Sequence, residues 1–165
     1  GLERITLWAR RREQAEALAA EVTNVGPEIS VADNLAAAVG EADIVSTATM
    51  ARTPFLQGDW ISPGTHVDLI GAFKADMREA DDTLLARGTL YADSRDTTLH
   101  HIGEYLIPLK AGVIGEGDLV ADLYDLVSGA HPGRSDGTEI TVYKNGGGAH
   151  LDLMTALSIA AALND

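Results

Sequence analysis

With 165 residues, 45% of them hydrophobic and 22% charged, the chain is long enough for one domain or two small ones and too apolar for wholesale disorder. Its 25 acidic and 12 basic side chains leave a formal net charge of −13, a field that repels phosphate backbones and anionic lipid, so neither nucleic acid nor a membrane surface is expected as a partner. The absence of cysteine removes disulfides, zinc–thiolate centres and thiol nucleophiles, and the lack of a signal-peptide core or of any apolar run near the roughly 18 residues of a membrane span points to the cytoplasm.

Arg4 to Ala9 alternates and reads as a strand. Over residues 10–22, Ala15, Leu18, Ala19 and Val22 fall at i, i+3, i+4 and i+7, one apolar stripe of a helix. Glu28 to Ala32 is a second strand, after which Asp33 is expected to cap a helix carrying Leu35, Ala36 and Val39 on one face. Asp43 to Thr49 is a third strand, apolar at its start and hydroxylated at its end. Thr65 to Gly71, Thr89 to Ser94 and Thr138 to Asn145 follow as strands, the last running into Gly146, Gly147 and Gly148. Helical segments are expected near Thr97 to His101 and over Leu119 to Ser128, and an alanine-rich helix from Leu151 to Leu163 closes the chain. Strands alternating with helices of about ten residues imply an α/β fold, a doubly wound, mostly parallel sheet covered on both faces. No repeat, low-complexity tract or linker interrupts it.

A dinucleotide-binding sheet of this kind opens with a strand, a glycine-rich turn and a helix whose N-terminus holds the pyrophosphate. No G-x-G-x-x-G follows a strand here: Gly146 to Gly148 comes after the last strand with the wrong spacing, and Gly112, Gly115 and Gly117 lie in a mixed loop. What the chain offers is the next part of such a unit, a strand ending at Arg10, Arg11 and Arg12, where the group that reads the adenosine ribose sits. An acid there favours NAD, and arginine accommodates the extra phosphate of NADP. Cations at a helix N-terminus oppose the macrodipole at roughly 0.3–1 kcal/mol each, so three in succession in an acidic chain point to a bound anion rather than to a solvated helix start. The chain therefore reads as beginning just after the glycine-rich βα unit, either as a fragment or completed by a separate piece. Without its central first strand the sheet would carry two unpaired edges; a rearranged dimer or a partner segment is expected, and a gap-free sheet is not.

The stretch VSTATMARTPFLQGDWISPGTHVDLIGAFKADMREADDTLL, and after it LYADSRDTT, AGVI and GRSDGTEITVYKNGGGAHLDL, resembles the ornithine cyclodeaminase/mu-crystallin family over essentially the whole chain. The resemblance implies that residues 1–165 are one NAD(P)-binding, Rossmann-like domain lacking its first glycine-rich βα unit, in a full-length protein that is a homodimer with an N-terminal domain carrying most of the substrate site. It assigns Ala9, Arg10 and Arg11 to the adenosine ribose, with arginine marking NADPH users over NADH users. It lays Thr47, Ala48, Thr49 and Met50 along the cofactor, faces Leu69 and Ile70 to the nicotinamide, and puts Asn145 and Gly146 near its carboxamide. On the residues alone, Leu69 and Ile70 read as core more than as pocket, and Thr47 and Thr49 read equally as ligand contacts and as plain strand hydroxyls.

In the cyclodeaminases the glycine pair after the fourth strand leads into a G-G-D-x-P-G-K-like motif with a catalytic aspartate. Here Phe73 stands in its place, unable to act as a base or position a water, and Ala75, Asp76 and Met77 replace the proline, glycine and lysine. Asp76, Arg78 and Glu79 keep the D-x-R-E of the mu-crystallin and ketimine-reductase branch. The resemblance thus implies NADPH-dependent reduction of a cyclic imino acid, pyrroline-2-carboxylate or piperideine-2-carboxylate, to proline or pipecolate, with the groups that hold the substrate supplied by the N-terminal domain. The chain by itself is expected not to turn over. Ornithine cyclisation, amino-acid dehydrogenation and non-catalytic nucleotide binding are the alternatives, and no catalytic residue is assigned.

Phe73 and His150 are candidates for shaping a substrate pocket, although His150 and Asp152 also suit a plain helix start. His100 and His101 are adjacent in a helical stretch, diverge by about 100° and cannot share a metal; one is expected to be exposed and one packed. The acidic groups Glu79, Asp81 and Asp82, Glu116 and Asp118, and Asp122 and Asp125 lack calcium-loop spacing and read as solvated faces. No metal is expected.

Overall fold

Seven strands, every pair of them parallel, form two separate sheets among the residues described by the computed structural model, 1–22 and 25–164. They belong to two units, Gly1–Ala42 and Asp43–Asp165. In the first, β1 (Arg4–Leu7) pairs with β2 (Glu28–Val31), and α1 (Arg12–Glu21) and α2 (Leu35–Gly40) follow the two strands. The apolar stripe of α1 places Ala15 in the interior, while Leu18 stays exposed. Asn34, not Asp33, caps α2, its Oδ1 accepting the Ala37 N–H at 3.1 Å; Asp33 is drawn instead to the Arg12 guanidinium.

The second unit contains β3 (Ile44–Thr47), β4 (His66–Leu69), α3 (Asp82–Arg87), β5 (Thr89–Ala92), α4 (Arg95–Thr98) and α5 (Gly103–Ala111). β6 (Leu119–Asp122), α6 (Leu123–Ser128), β7 (Thr141–Lys144) and α7 (Ala149–Asn164) complete it. The strand order is β3-β4-β7-β5-β6, so β7 enters the middle of the sheet and β3 is paired on one side only, to β4. Period-2 alternation builds the core: Val67 and Leu69 of β4, Leu90 and Ala92 of β5 and Val142 of β7 are fully buried, joined by Leu56, Met77, Leu84 and Leu85. Tyr105 of α5, also fully buried, donates its hydroxyl proton to the Tyr91 carbonyl at 2.8 Å and anchors that helix to β5.

Three expectations need correction. Residues 119–128 are not one helix: Leu119 and Ala121 are buried while Val120 between them is exposed, so the first four residues alternate as the edge strand β6. Asp122 then caps α6, accepting from the Tyr124 and Asp125 amides. His100 and His101 lie in the turn after α4 and are both exposed. The acidic groups are not all solvated faces, because Glu79 is fully buried, Asp81 caps α3 through the Leu84 N–H, and Asp82 pairs with the buried Arg78 at 2.6 Å.

Candidate cofactor edge

Register fixes which side chains meet at the carboxyl ends of the strands. Thr47 of β3 lies opposite Leu69 of β4, Leu69 opposite Lys144 of β7, and Lys144 opposite Ala92 of β5. Open parallel sheets bind ligands in the crevice outside this edge.

Glu79 organises the β3–β4 end of it. Its carboxylate accepts the Thr47 hydroxyl at 2.9 Å and the Gly71 N–H at 2.8 Å on Oε2, and the Thr49 hydroxyl at 2.7 Å and the Thr49 N–H at 2.6 Å on Oε1. A carboxylate offers about four lone-pair positions, so it is filled. The main chain of Glu79 is held in turn: its carbonyl accepts the Phe55 and Leu56 amides, and its N–H goes to Glu104, which also accepts the Ala80 N–H. Gly71 permits the close approach of the two strand ends, since a Cβ there would overlap the Thr49 main chain and come within 2.6 Å of Glu79 Oε1.

At the β7–β5 end, Lys144 is fully buried and donates to the Leu69 carbonyl at 2.8 Å. Burial pulls its pKa down, and Glu104, Glu79, Asp93 and Asp68 act in the opposite sense. Glu104 is pushed up to about 7 by burial, against the two amides it accepts. Asp93, buried at the end of β5, accepts from Thr98 Oγ1 and from the Ser94 and Gly148 amides. A side chain at Gly146 would strike Thr98 Oγ1 and lie 3.0 Å from Asp93 Oδ1, so the backbone after β7 runs close against this pair.

Thr47 and Thr49 therefore turn their hydroxyls onto Glu79. What the same segment presents outward is Ala48 and Met50, the latter 75% exposed. Leu69 belongs to the core, and its neighbour Ile70 is 41% exposed at the rim. Asn145 and Gly146 are half-buried beyond β7, the Asn145 N–H donating to the Leu69 carbonyl. Phe73 is 52% exposed, with the Lys74 ammonium 5.3 Å from its ring centroid. His150 is half-buried, its ring 5.8 Å from that of Tyr124 and its Nε2 without a partner among the described residues. In the first unit Ala9 is half-buried and Arg10 and Arg11 are exposed; Arg12 pairs with Glu16 and Asp33, leaving Arg10 and Arg11 without a carboxylate among the described residues.

Sequence reasoning missed the buried roles of Glu79, Glu104, Asp93 and Lys144. A signal existed for Lys144, which shares strand phase with Ile140 and Val142. Among the described residues no three His, Asp or Glu side chains gather as a metal centre would require, and no helix is long and apolar enough to cross a membrane.

Δ1-Pyrroline-2-carboxylate reductase of Paracoccus denitrificans is 55% identical over 163 residues, covering 99% of this chain and 52% of that protein. The ketimine reductase mu-crystallin of Mus musculus is 37% identical, covering 92% and 45%. Among solved structures, Δ1-pyrroline-2-carboxylate reductase of Thermococcus litoralis, in complex with NADH and L-proline, superposes with a TM-score of 0.84 at 33% identity over 88% of this chain and 45% of that one. The chain spans about half the length of the curated relatives it matches. The model of the ornithine cyclodeaminase/mu-crystallin family matches residues 1–164, and with these strand ends and relatives the chain belongs to that family.

Proposed function

We propose that this chain is the cofactor-binding part of a longer, homodimeric cytoplasmic protein that reduces a cyclic imino acid, pyrroline-2-carboxylate or piperideine-2-carboxylate, with NADPH. The carboxyl edge of the second unit carries this reading: Ala48, Met50 and Ile70 stand exposed at the ends of adjacent strands beside the half-buried Asn145 and Gly146. Phe73 occupies the position where a cyclodeaminase needs a carboxylate. The relatives named above favour the same chemistry.

The residues fit a nicotinamide dinucleotide. Arg10 and Arg11, with no carboxylate partner among the described residues, suit the 2′-phosphate of the adenosine ribose, and the rim from Ala48 to Met50 with Ile70, Asn145 and Gly146 suits the nicotinamide end. When bound, the cofactor supplies the hydride. The chain's own residues bind and orient: the rim is apolar where a flat ring would lie, and its backbone is fixed from beneath by Glu79 and Asp93. The glycine-rich turn and the groups that hold the substrate carboxylate belong, in this reading, to the remainder of the polypeptide, whose first strand would pair with the open edge of β3.

Calorimetric titration of the full-length protein with NADPH and NADH tests the cofactor. A charge-assisted hydrogen bond is worth about 1.5–3 kcal/mol, so NADPH is expected to bind about 10–100-fold more tightly, with Arg10→Ala/Arg11→Ala erasing the preference. Equal affinity in the wild type would remove the phosphate assignment. Imine-dependent NADPH oxidation tests the activity, and cofactor binding without turnover of either imine would make the protein a nucleotide-binding module.

A further inference from the structure

We propose that Glu79 is a positioning residue that joins the β3 and β4 ends into one cofactor platform and makes the β3 end an acceptor surface, recognising hydroxyl or amide donors of the ligand. The inference rests on the nicotinamide-cofactor reading above and goes beyond it by assigning a residue that touches no ligand.

Four donors from two strand ends converge on one fully buried carboxylate: both threonine hydroxyls and the Thr49 amide from the β3 side, and the Gly71 amide from the β4 side. In all four contacts Glu79 is the acceptor, two on each carboxylate oxygen. Each hydroxyl has a single proton, and both protons are committed to Glu79. Thr47 is buried; towards a ligand the half-buried Thr49 oxygen can then only accept, and it already takes the Ala51 N–H at 3.3 Å. A ligand group that meets the half-buried Thr49 hydroxyl oxygen must be a donor, which a ribose hydroxyl and a carboxamide are and a phosphate is not.

The clamp is itself held. Glu104 accepts the main-chain N–H of Glu79 at 2.8 Å and that of Ala80 at 2.9 Å, and the parallel bridge between Leu56 and Ala80 fixes the neighbouring segment. Nothing short of moving several main-chain hydrogen bonds lets the carboxylate follow a displaced strand end. The position of the platform is thereby set before any ligand arrives.

The test compares two ligands on the full-length protein: NADPH, which reaches the platform, and adenosine 2′,5′-bisphosphate, which carries only the adenosine end. Glu79→Gln turns an NH2 group towards two of the four donors. It is expected to weaken NADPH at least tenfold while adenosine 2′,5′-bisphosphate changes less than twofold. Thr49→Val keeps the carboxylate and removes one hydroxyl, and is expected to weaken NADPH about three- to tenfold with the same selectivity. If Glu79→Gln does not fold, Thr49→Val decides. Equal weakening of both ligands, or of neither, overturns the inference and leaves the cofactor reading standing. A wild-type protein that binds no NADPH overturns the cofactor reading, and the inference with it.

Discussion

Replacement of Lys144 by methionine is expected to lower the free energy of unfolding by about 3–5 kcal/mol, the range found when one partner of a buried charge group is removed. Methionine is an unbranched, adaptable filler, so the core keeps its volume and the loss reports on the charge. The lysine side chain is fully buried and donates a hydrogen bond to the Leu69 carbonyl, while Glu104, Glu79, Asp93 and Asp68 all favour its ammonium form against the cost of burial. Without it these carboxylates lose a shared counter-charge in a protein whose net charge is already −13, and the Leu69 carbonyl loses a donor. For a urea slope of roughly 2 kcal/mol per M, the unfolding midpoint should fall by about 1.5–2.5 M with the slope unchanged. A loss under about 1 kcal/mol would mean that Lys144 is buried as the neutral amine and contributes only its one hydrogen bond.

This arrangement separates two layers of the same edge. Beneath it lie ionisable groups held by hydrogen bonds: Glu79 with four donors, Glu104 with two amides, and Asp93 with a hydroxyl and two amides. Above it stand Met50, Ile70 and Phe73, large apolar side chains left exposed. A satisfied buried polar network holds a backbone more rigidly than apolar packing of the same volume, because each group has a costly alternative to its native partner. The apolar rim is the part that a ligand can cover.

The fold was legible where alternation and burial agree. β4 reads correctly because Val67 and Leu69 point into the core and His66 and Asp68 do not, and the third strand is recognisable from its apolar start at Ile44 and Val45. β6 escaped because Leu119, Leu123 and Leu126 also satisfy a helical spacing, and the pairing with β5 that decides the matter is a tertiary interaction. α5 escaped for a different reason: its buried face carries Gly103, Glu104 and Pro108, which erase the apolar stripe by which a helix is recognised. The site shows the same division. The family motifs pointed to the segments at the strand ends, but of their residues Ala48, Met50 and Ile70 are exposed while Thr47 and Leu69 are buried. The floor could not be placed, because Glu79 and Glu104 are acidic residues in an acidic chain, and burial of a carboxylate leaves no mark on spacing or composition. Lys144 alone was within reach: accepting Thr138 to Asn145 as a strand with Val142 inside puts Lys144 inside as well.

Glu104 should make stability fall as pH rises between about 4.5 and 7. Burial raises its pKa from 4.5 to about 7, so over this window the folded protein holds a proton that the unfolded chain has released. The stabilisation is fully present below about 4.5 and is lost as pH climbs through about 7, amounting to roughly 3 kcal/mol across the interval. Other groups titrate nearby. Asp68, raised by burial, works in the same sense, and His66, lowered by burial, works in the opposite one. Both are common to wild type and Glu104→Gln, so the difference between the two proteins isolates the glutamate. Glutamine accepts one of the two amides through its oxygen and turns its NH2 towards the other, a fixed cost of about 1–3 kcal/mol that does not depend on pH. Urea unfolding at pH 5, 6, 7 and 8 should therefore show the wild type ahead by the most at pH 5, with the gap closing by roughly 3 kcal/mol at pH 8. A gap that stays level would place Glu104 in its ionised form throughout, held there by the Glu79 and Ala80 amides and by Lys144. In that case Lys144→Met should restore the slope, because removing the lysine leaves burial to raise the carboxyl unopposed by any buried cation it is coupled to.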